Sequence, residues 1–139
     1  MASVREETEL GARPDEVWKL VGAFVGFVEA MGLPVESEGH GIGALRTISS
    51  GPEPVVERLE ERDEGAMRIV YSIVSGPLPV ANYRSTIELA PAGEGRSALT
   101  WTGTFEPAPG VAEEKAISFV RSVYKSGIAE LRRLFGPVG

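Results

Sequence analysis

Five side chains with chemically useful groups fall on successive stretches of the sequence that are typical of β-strands: Arg46, Glu57, Tyr71, Ser85 and Trp101. A guanidinium or a carboxylate can hold the polar group of a ligand. A phenol or a carboxyl group can also exchange a proton with a substrate or polarise a ketone. Nothing in the sequence fixes a nucleophile among them, so their use depends on whether the fold brings them together.

Counting residues around the short turns between these strands places the five side chains in one row across a sheet. The hairpin closed by the turn at 49–54 pairs Arg46 with Glu57. The turn at 63–65 then places Glu57 near Tyr71. Around the following two turns, Tyr71 lies near Ser85 and Ser85 lies near Trp101. Directly opposed residues of neighbouring strands share a face of the sheet. The sequence therefore predicts one polar row, to within a one-residue error in register.

The row shares its face with apolar residues, which marks that face as the inner one. Residues of the same parity are Ile48, Val55, Leu59, Ile69, Ile73, Tyr83, Ile87, Leu89, Leu99 and Phe105, whereas the other face carries mainly charged residues and threonines. An inward arginine and glutamate are costly to remove from water unless they pair, or unless the interior holds a ligand or water. Two interpretations follow: an ion pair without function at the open end of the sheet, or a polar row inside a ligand cavity.

Around this row, the sequence predicts one strand, then two short helical segments, then six further strands. Residues 2–10 are predicted as a strand, Pro14 opens a short helix, and a second helical piece ends near Gly32. Six more strands are predicted from alternating residues between turns rich in glycine and proline, among them Ser50-Gly51-Pro52: 34–38, 41–49, 54–62, 66–75, 81–90 and 96–106. Because every connection is short, these strands should form an antiparallel meander.

The segment 111–135 carries the strongest helical pattern, and Gly136-Pro137 ends it. Its apolar face, with Val120, Val123, Gly127 and Leu131, should pack against the concave side of the sheet. The expected fold is α+β: a curved seven-stranded antiparallel sheet that wraps a long C-terminal helix, with two short helices after strand 1.

Composition excludes several functional classes. The chain of 139 residues has the length of one domain, 1–139, with 14 Lys and Arg against 20 Asp and Glu and a net charge of −6, which disfavours nucleic acid as a partner. It contains no cysteine and a single histidine, His40, so we expect no metal site and no cofactor. No apolar run approaches about 18 residues, and the N-terminus does not resemble a signal peptide, so we expect a cytoplasmic protein without integral membrane association.

Two motifs stand out besides the element order: Pro14-Asp15-Glu16-Val17-Trp18 at the first helix and Trp101-Thr102-Gly103-Thr104-Phe105 on the last strand. Together they resemble the START-like, helix-grip superfamily, which includes polyketide cyclases/dehydrases, lipid-transfer domains, pollen allergens and the plant abscisic-acid receptors. The local match to the receptors lies at Ser50-Gly51-Pro52-Glu53-Pro54, similar to their gate loop, and at Tyr71-Ser72-Ile73-Val74-Ser75-Gly76 and Asn82-Tyr83-Arg84-Ser85, similar to the strands beside their latch loop.

The resemblance implies a ligand pocket between the sheet and the long helix. Carried over position by position, it implies the pocket residues Glu57, Tyr71, Ile73, Val80, Tyr83, Ser85, Phe119, Val123 and Gly127. Together with the inner row, the candidate ligand-binding residues are these and Arg46, Ile48, Leu59 and Trp101. The receptors' His-Arg latch pair is replaced by Pro77-Leu78-Pro79, and their early-strand lysine is missing, so hormone binding and phosphatase inhibition are not implied. Arg46 is a possible replacement for that lysine as an anion anchor.

Three functions are compatible with these features. The first is binding or transport of a hydrophobic small molecule, lipid-like or polycyclic, in the internal cavity. The second is a polyketide aromatase/cyclase-type enzyme that uses the same cavity, with Arg46, Glu57, Tyr71 and Tyr83 as its acid, base and polarising groups. The third is a small stress- or partner-binding protein with a vestigial cavity. The sequence favours a binding protein over an enzyme and leaves the oligomeric state open between a monomer and a weak homodimer.

Overall fold

The structure, a computed structural model, describes residues 1–49 and 51–136. Ser50 of the predicted turn and Pro137 of the predicted helix stop lie outside the described residues. The elements follow the predicted order with ends shifted by at most a few residues: β1 Ala2–Leu10, α1 Pro14–Val21, α2 Gly26–Ala30, β2 Val35–Glu38, β3 Leu45–Ile48, β4 Val55–Asp63, β5 Arg68–Ser75, β6 Val80–Pro91, β7 Ser97–Pro107 and α3 Glu113–Phe135.

The seven strands form one antiparallel sheet in the order β1-β7-β6-β5-β4-β3-β2. Consecutive strands from β2 to β7 are neighbours, as the short turns require, and β1 closes the series by pairing with β7. The helices α1 and α2 follow β1, and α3 packs against β1 and β7. This arrangement is the predicted helix-grip α+β fold.

The register confirms part of the predicted row and corrects the rest. Arg46 opposes Glu57, and Tyr71 opposes Ser85, as predicted. The predicted opposition of Glu57 to Tyr71 is wrong, because the turn between β4 and β5 is longer than predicted: Asp63 opposes Arg68, and Glu57 opposes Ile73. That of Ser85 to Trp101 is also wrong, since Ser85 opposes Gly103. Both shifts are by two residues, so the side chains keep the inner face but form a diagonal.

Helix α3 has the charges expected at its ends and buries one face. Glu113 and Glu114 lie in its first turn, and Arg132 and Arg133 lie in its last, where each sign complements the helix dipole. Its buried residues are Ala116, Val120, Tyr124, Gly127, Ile128 and Leu131. Val123, also predicted on this face, lies at its margin and is 44% exposed.

Gly127 allows α3 to approach the sheet closely. A Cβ atom at this position would lie 2.5 Å from Cζ3 and 2.7 Å from Cη2 of Trp101, well inside van der Waals contact. The Trp101 ring also stacks on Tyr124, with 4.6 Å between ring centroids, and contacts Phe27 on α2. The Trp101 ring therefore occupies the space that a side chain at position 127 would take.

Replacing Gly127 with alanine should lower the free energy of unfolding by up to about 2 kcal/mol. Overpacking a filled site typically costs about 1–3 kcal/mol, which exceeds the roughly 1 kcal/mol that alanine gains over glycine in a helix. The exposed Ser126→Ala is the matched control and should shift stability by less than about 0.5 kcal/mol. Urea unfolding checks both, and a more stable Gly127→Ala variant would show that the ring does not lie against the helix.

Among residues 1–49 and 51–136, no helix is long and apolar enough to cross a membrane.

Candidate functional site

Arg46 on β3 and Glu57 on β4 form a buried ion pair. The two residues are 3% and 8% exposed, and Arg46 Nε donates a hydrogen bond of 2.7 Å to Glu57 Oε1. Their strands place them there because β3 and β4 pair with Arg46 directly opposite Glu57. Two buried charges at this distance stabilise each other only while both remain paired.

The Arg46 guanidinium also makes a backbone hydrogen bond and two aromatic contacts within the protein. Its Nη1 donates a hydrogen bond of 2.5 Å to the carbonyl oxygen of Phe24, just before α2. Its guanidinium carbon lies 4.2 Å from the ring centroid of Phe24 and 4.7 Å from that of Tyr71, so the cation is held between two aromatic faces. Arg46 therefore joins β3 to the segment before α2, behind Glu57.

A chain of hydroxyl groups continues across the inner face of β6 and β7. The Ser85 hydroxyl donates to the Thr102 carbonyl at 3.1 Å and lies 2.9 Å from the Tyr124 hydroxyl, which is 2.5 Å from that of Tyr83. Trp101 Nε1 donates to Ser85 Oγ at 3.0 Å and to the Tyr71 hydroxyl at 3.3 Å. These bonds connect β5, β6 and β7 to α3.

All three tyrosines of this chain hold their protons more tightly than a free tyrosine does. Burial is the main cause that raises the pKa of Tyr71, Tyr83 and Tyr124, because the phenolate loses hydration in an apolar environment. For Tyr71 the nearby Glu57 carboxylate raises the pKa further. The phenols are therefore neutral hydroxyl groups around neutral pH.

A cavity of about 190 Å³ lies between the inner face of β3–β6 and helix α3. Eight of the residues predicted from sequence line it: Ile48, Glu57, Tyr71, Ile73, Val80, Tyr83, Phe119 and Val123. Leu33, Val55, Leu78 and Val120 complete the wall. The wall is thus mostly aliphatic and aromatic, with the Glu57 carboxyl group as its single acidic group among the described residues.

The other five predicted residues lie elsewhere. Trp101 and Gly127 line a second hollow of about 410 Å³, a groove along α3 that shares Leu33 and Val123 with the cavity. Arg46, Leu59 and Ser85 are buried in the sheet and do not line the cavity. The structure therefore brings the predicted row together as one network, of which only Glu57 and Tyr71 face the cavity.

Tyr124 is the residue that sequence reasoning missed. It lies on the apolar stripe of α3 and is fully buried, which the spacing indicates. Its hydroxyl, however, bonds Tyr83 and Ser85, and no local pattern shows this because the partners come from β6. The parity of β6 did place Tyr83 and Ser85 on the inner face, where a tyrosine of the packed helix would meet them.

Other titratable side chains are His40 and the acidic residues between Glu57 and Glu64. His40 is exposed in its glycine-flanked turn. The acidic run from Glu57 to Glu64 is distributed over separate ion pairs and hydrogen bonds, such as Glu61 with Arg68 and Glu64 with Trp18. Within residues 1–49 and 51–136, no three potential ligands are grouped closely enough to hold a metal ion.

The fold and the inner cavity define a class of small helix-grip proteins. Residues 1–136 match the model of the family described as polyketide cyclase / dehydrase and lipid transport. The protein belongs to this family.

Solved structures of similar proteins match almost the whole chain. Protein XoxI from Bacillus cereus is 32% identical, covering 97% of this chain and 96% of its own, with a TM-score of 0.85. An uncharacterised protein from Bacillus thuringiensis is 32% identical over 96% of this chain and 98% of its own, with a TM-score of 0.85. A protein from Thermobifida fusca is 31% identical over 100% and 99%, with a TM-score of 0.84.

Proposed function

We propose that the protein binds or carries a hydrophobic small molecule in the cavity between its sheet and α3. The observation that carries this proposal is the cavity itself, an apolar space of about 190 Å³ with one carboxyl group in its wall. Ligand sites combine such apolar walls with a few polar groups that orient the ligand. Membership in a family that includes lipid-transport proteins supports the same function.

The volume indicates the size of the ligand. An apolar cavity of about 150 Å³ is sufficient for benzene, so about 190 Å³ suits one substituted ring or a short branched chain. A polycyclic molecule would require the exposed part of the wall, Leu33 and Val123, to move outward into the adjoining groove. A mass spectrum recorded under native conditions, on protein purified without added ligand, should therefore show a bound molecule of about one ring's mass.

Val123→Trp should reduce the binding of an apolar fluorescent dye at least tenfold. Val123 belongs both to the cavity wall and to the groove, so an indole there would fill the route between them. The control is Ala129→Trp, an exposed position of the same helix outside the cavity. Because both positions are exposed, thermal unfolding should change little in either variant. Equal loss of dye binding in the two variants would place the dye outside the cavity.

One observation favours a second function, an aromatase/cyclase-type reaction in the same cavity. The Glu57 carboxylate, which can act as a base, shares the wall with the phenol of Tyr71, whose raised pKa keeps it protonated. Cyclisation of a poly-β-ketone requires a proton acceptor and a group that polarises a ketone. Incubation with a short poly-β-ketone thioester, followed by absorbance of an aromatic product, tests this function. Equal product formation by the protein and by its Glu57→Gln variant would indicate binding without catalysis.

A further inference from the structure

We infer that the cavity selects neutral molecules whose polar group donates a hydrogen bond, such as a phenol or an alcohol, and rejects carboxylates of the same size. This inference rests on the proposed binding function and specifies the chemistry of its ligand. Three features of the described residues carry it: the free acceptor capacity of Glu57, the direction of the protons in the tyrosine network, and the position of Arg46.

The Glu57 carboxylate is an acceptor with capacity left for a ligand. Its Oε1 receives the hydrogen bond from Arg46, whereas Oε2 receives none from the described residues. An ionised carboxylate accepts and never donates hydrogen bonds. Since Glu57 lines the cavity, a hydroxyl group of a ligand there finds a charged acceptor, and such hydrogen bonds are stronger than those between neutral groups.

The directions of the hydroxyl protons make Tyr83 a second acceptor. The Thr102 carbonyl can only accept, so the contact at 3.1 Å takes the single proton of Ser85. Tyr124 must then donate to Ser85, and Tyr83 must donate to Tyr124. If Ser85 donated to Tyr124 instead, the Ser85 hydroxyl oxygen and the Thr102 carbonyl oxygen would face each other at 3.1 Å with no proton between them. The proton of Tyr83 is therefore committed to the protein, and Tyr83 can offer a ligand only a lone pair. The Tyr71 hydroxyl accepts from Trp101 and donates in none of these bonds, so its proton can meet the oxygen of a hydroxyl ligand that itself donates to Glu57.

The arrangement of charge rejects an anion. The nearest cation, Arg46, stands behind Glu57 with Nε and Nη1 already used by the protein, and it does not line the cavity. No Lys, Arg or His is found in the cavity wall among the described residues. A carboxylate ligand would thus meet the Glu57 carboxylate without a cation, and burying such a charge is costly.

Three probes of one size test the inference by calorimetric titration: para-propylphenol, propylbenzene and para-propylbenzoate. We expect the phenol to bind about tenfold or more tightly than propylbenzene, as a hydrogen bond to a charged acceptor provides, and the benzoate to bind most weakly. Equal affinities for the phenol and propylbenzene, or tighter binding of the benzoate, would overturn this inference while leaving the proposed function. If none of the three binds, the proposed function fails as well.

Two variants distinguish the two acceptors. Glu57→Gln replaces the carboxylate by a neutral amide of similar shape, so the preference for the phenol over the benzoate should fall at least severalfold. Because this change leaves Arg46 without its anion, thermal unfolding must first show a folded protein.

Tyr124→Phe leaves Glu57 and Arg46 untouched and releases the proton of Tyr83, so it should bind acetophenone, an acceptor ligand, severalfold more tightly than the unaltered protein does. Unchanged acetophenone affinity in this variant would overturn the assigned proton order.

Discussion

Replacing Arg46 with methionine should lower the free energy of unfolding by about 3 kcal/mol or more. Removing one partner of a buried ion pair typically costs about 3–5 kcal/mol, because the other charge remains buried without compensation. Here Glu57 is 8% exposed and would lose the only guanidinium that contacts it among the described residues. The carbonyl of Phe24 would lose its donor as well. Urea unfolding measures the loss.

The double variant separates the cost of an unpaired charge from the value of the pair. Arg46→Met combined with Glu57→Leu leaves no buried charge, so it should recover much of the stability lost by the single variant. It should not recover binding of para-propylphenol, because Glu57 is the charged acceptor in the cavity wall. In the double variant, the free energy of unfolding should therefore recover whereas the affinity for para-propylphenol should not.

An exposed pair provides the control for this cycle. Arg5 and Glu7 form a salt bridge on the outer surface, with side chains 63% and 58% exposed. Arg5→Met should change stability by less than about 1 kcal/mol, as is usual for exposed ion pairs. If Arg46→Met cost no more than Arg5→Met, or if the double variant lost the sum of the losses measured for Arg46→Met and Glu57→Leu alone, the Arg46–Glu57 pair would be a surface contact in solution.

The sequence predicts this pair well because its position depends on one short hairpin. Arg46 and Glu57 stand close to a single turn, so alternation along two strands suffices to place both on the inner face. Tyr71 and Trp101 lie one and three strands beyond β4, and each turn whose length differs from the predicted one shifts the count. The β4–β5 turn spans residues 64–67, longer than predicted, and with the irregularity between Leu59 and Glu61 it makes Leu59 rather than Glu57 the partner of Tyr71.

The cavity is less predictable than the sheet because it depends on how closely α3 packs against the sheet. The inner parity and the family resemblance both indicated Tyr71, Ile73 and Tyr83, which do line it. Whether Trp101 and Gly127 join them depends on the depth to which the helix packs, and the Trp101 ring under Gly127 closes that end. Such contacts arise from tertiary packing of large side chains, which periodicity does not encode.

Truncation of two phenylalanines should distinguish a solid core from the lined cavity. Phe105 on β7 is fully buried, and Phe105→Ala should cost about 3–5 kcal/mol through the void it leaves. Phe119 on α3 already borders the cavity and is half-buried, so Phe119→Ala should cost only about 1–2 kcal/mol. Thermal or urea unfolding measures both losses.

Partial exposure alone would also make Phe119→Ala mild, so ligand size provides the decisive readout. Phe135, at the end of α3, is half-buried like Phe119 but lies outside the cavity wall. Phe135→Ala should therefore match Phe119→Ala in stability and leave ligand affinities unchanged. Phe119→Ala enlarges the cavity, so it should bind a two-ring phenol, such as a naphthol, at least severalfold more tightly relative to para-propylphenol. If Phe119→Ala and Phe135→Ala bind both phenols alike, the ligands do not occupy the space beside Phe119, since a wall residue cannot be removed without changing which molecules fit.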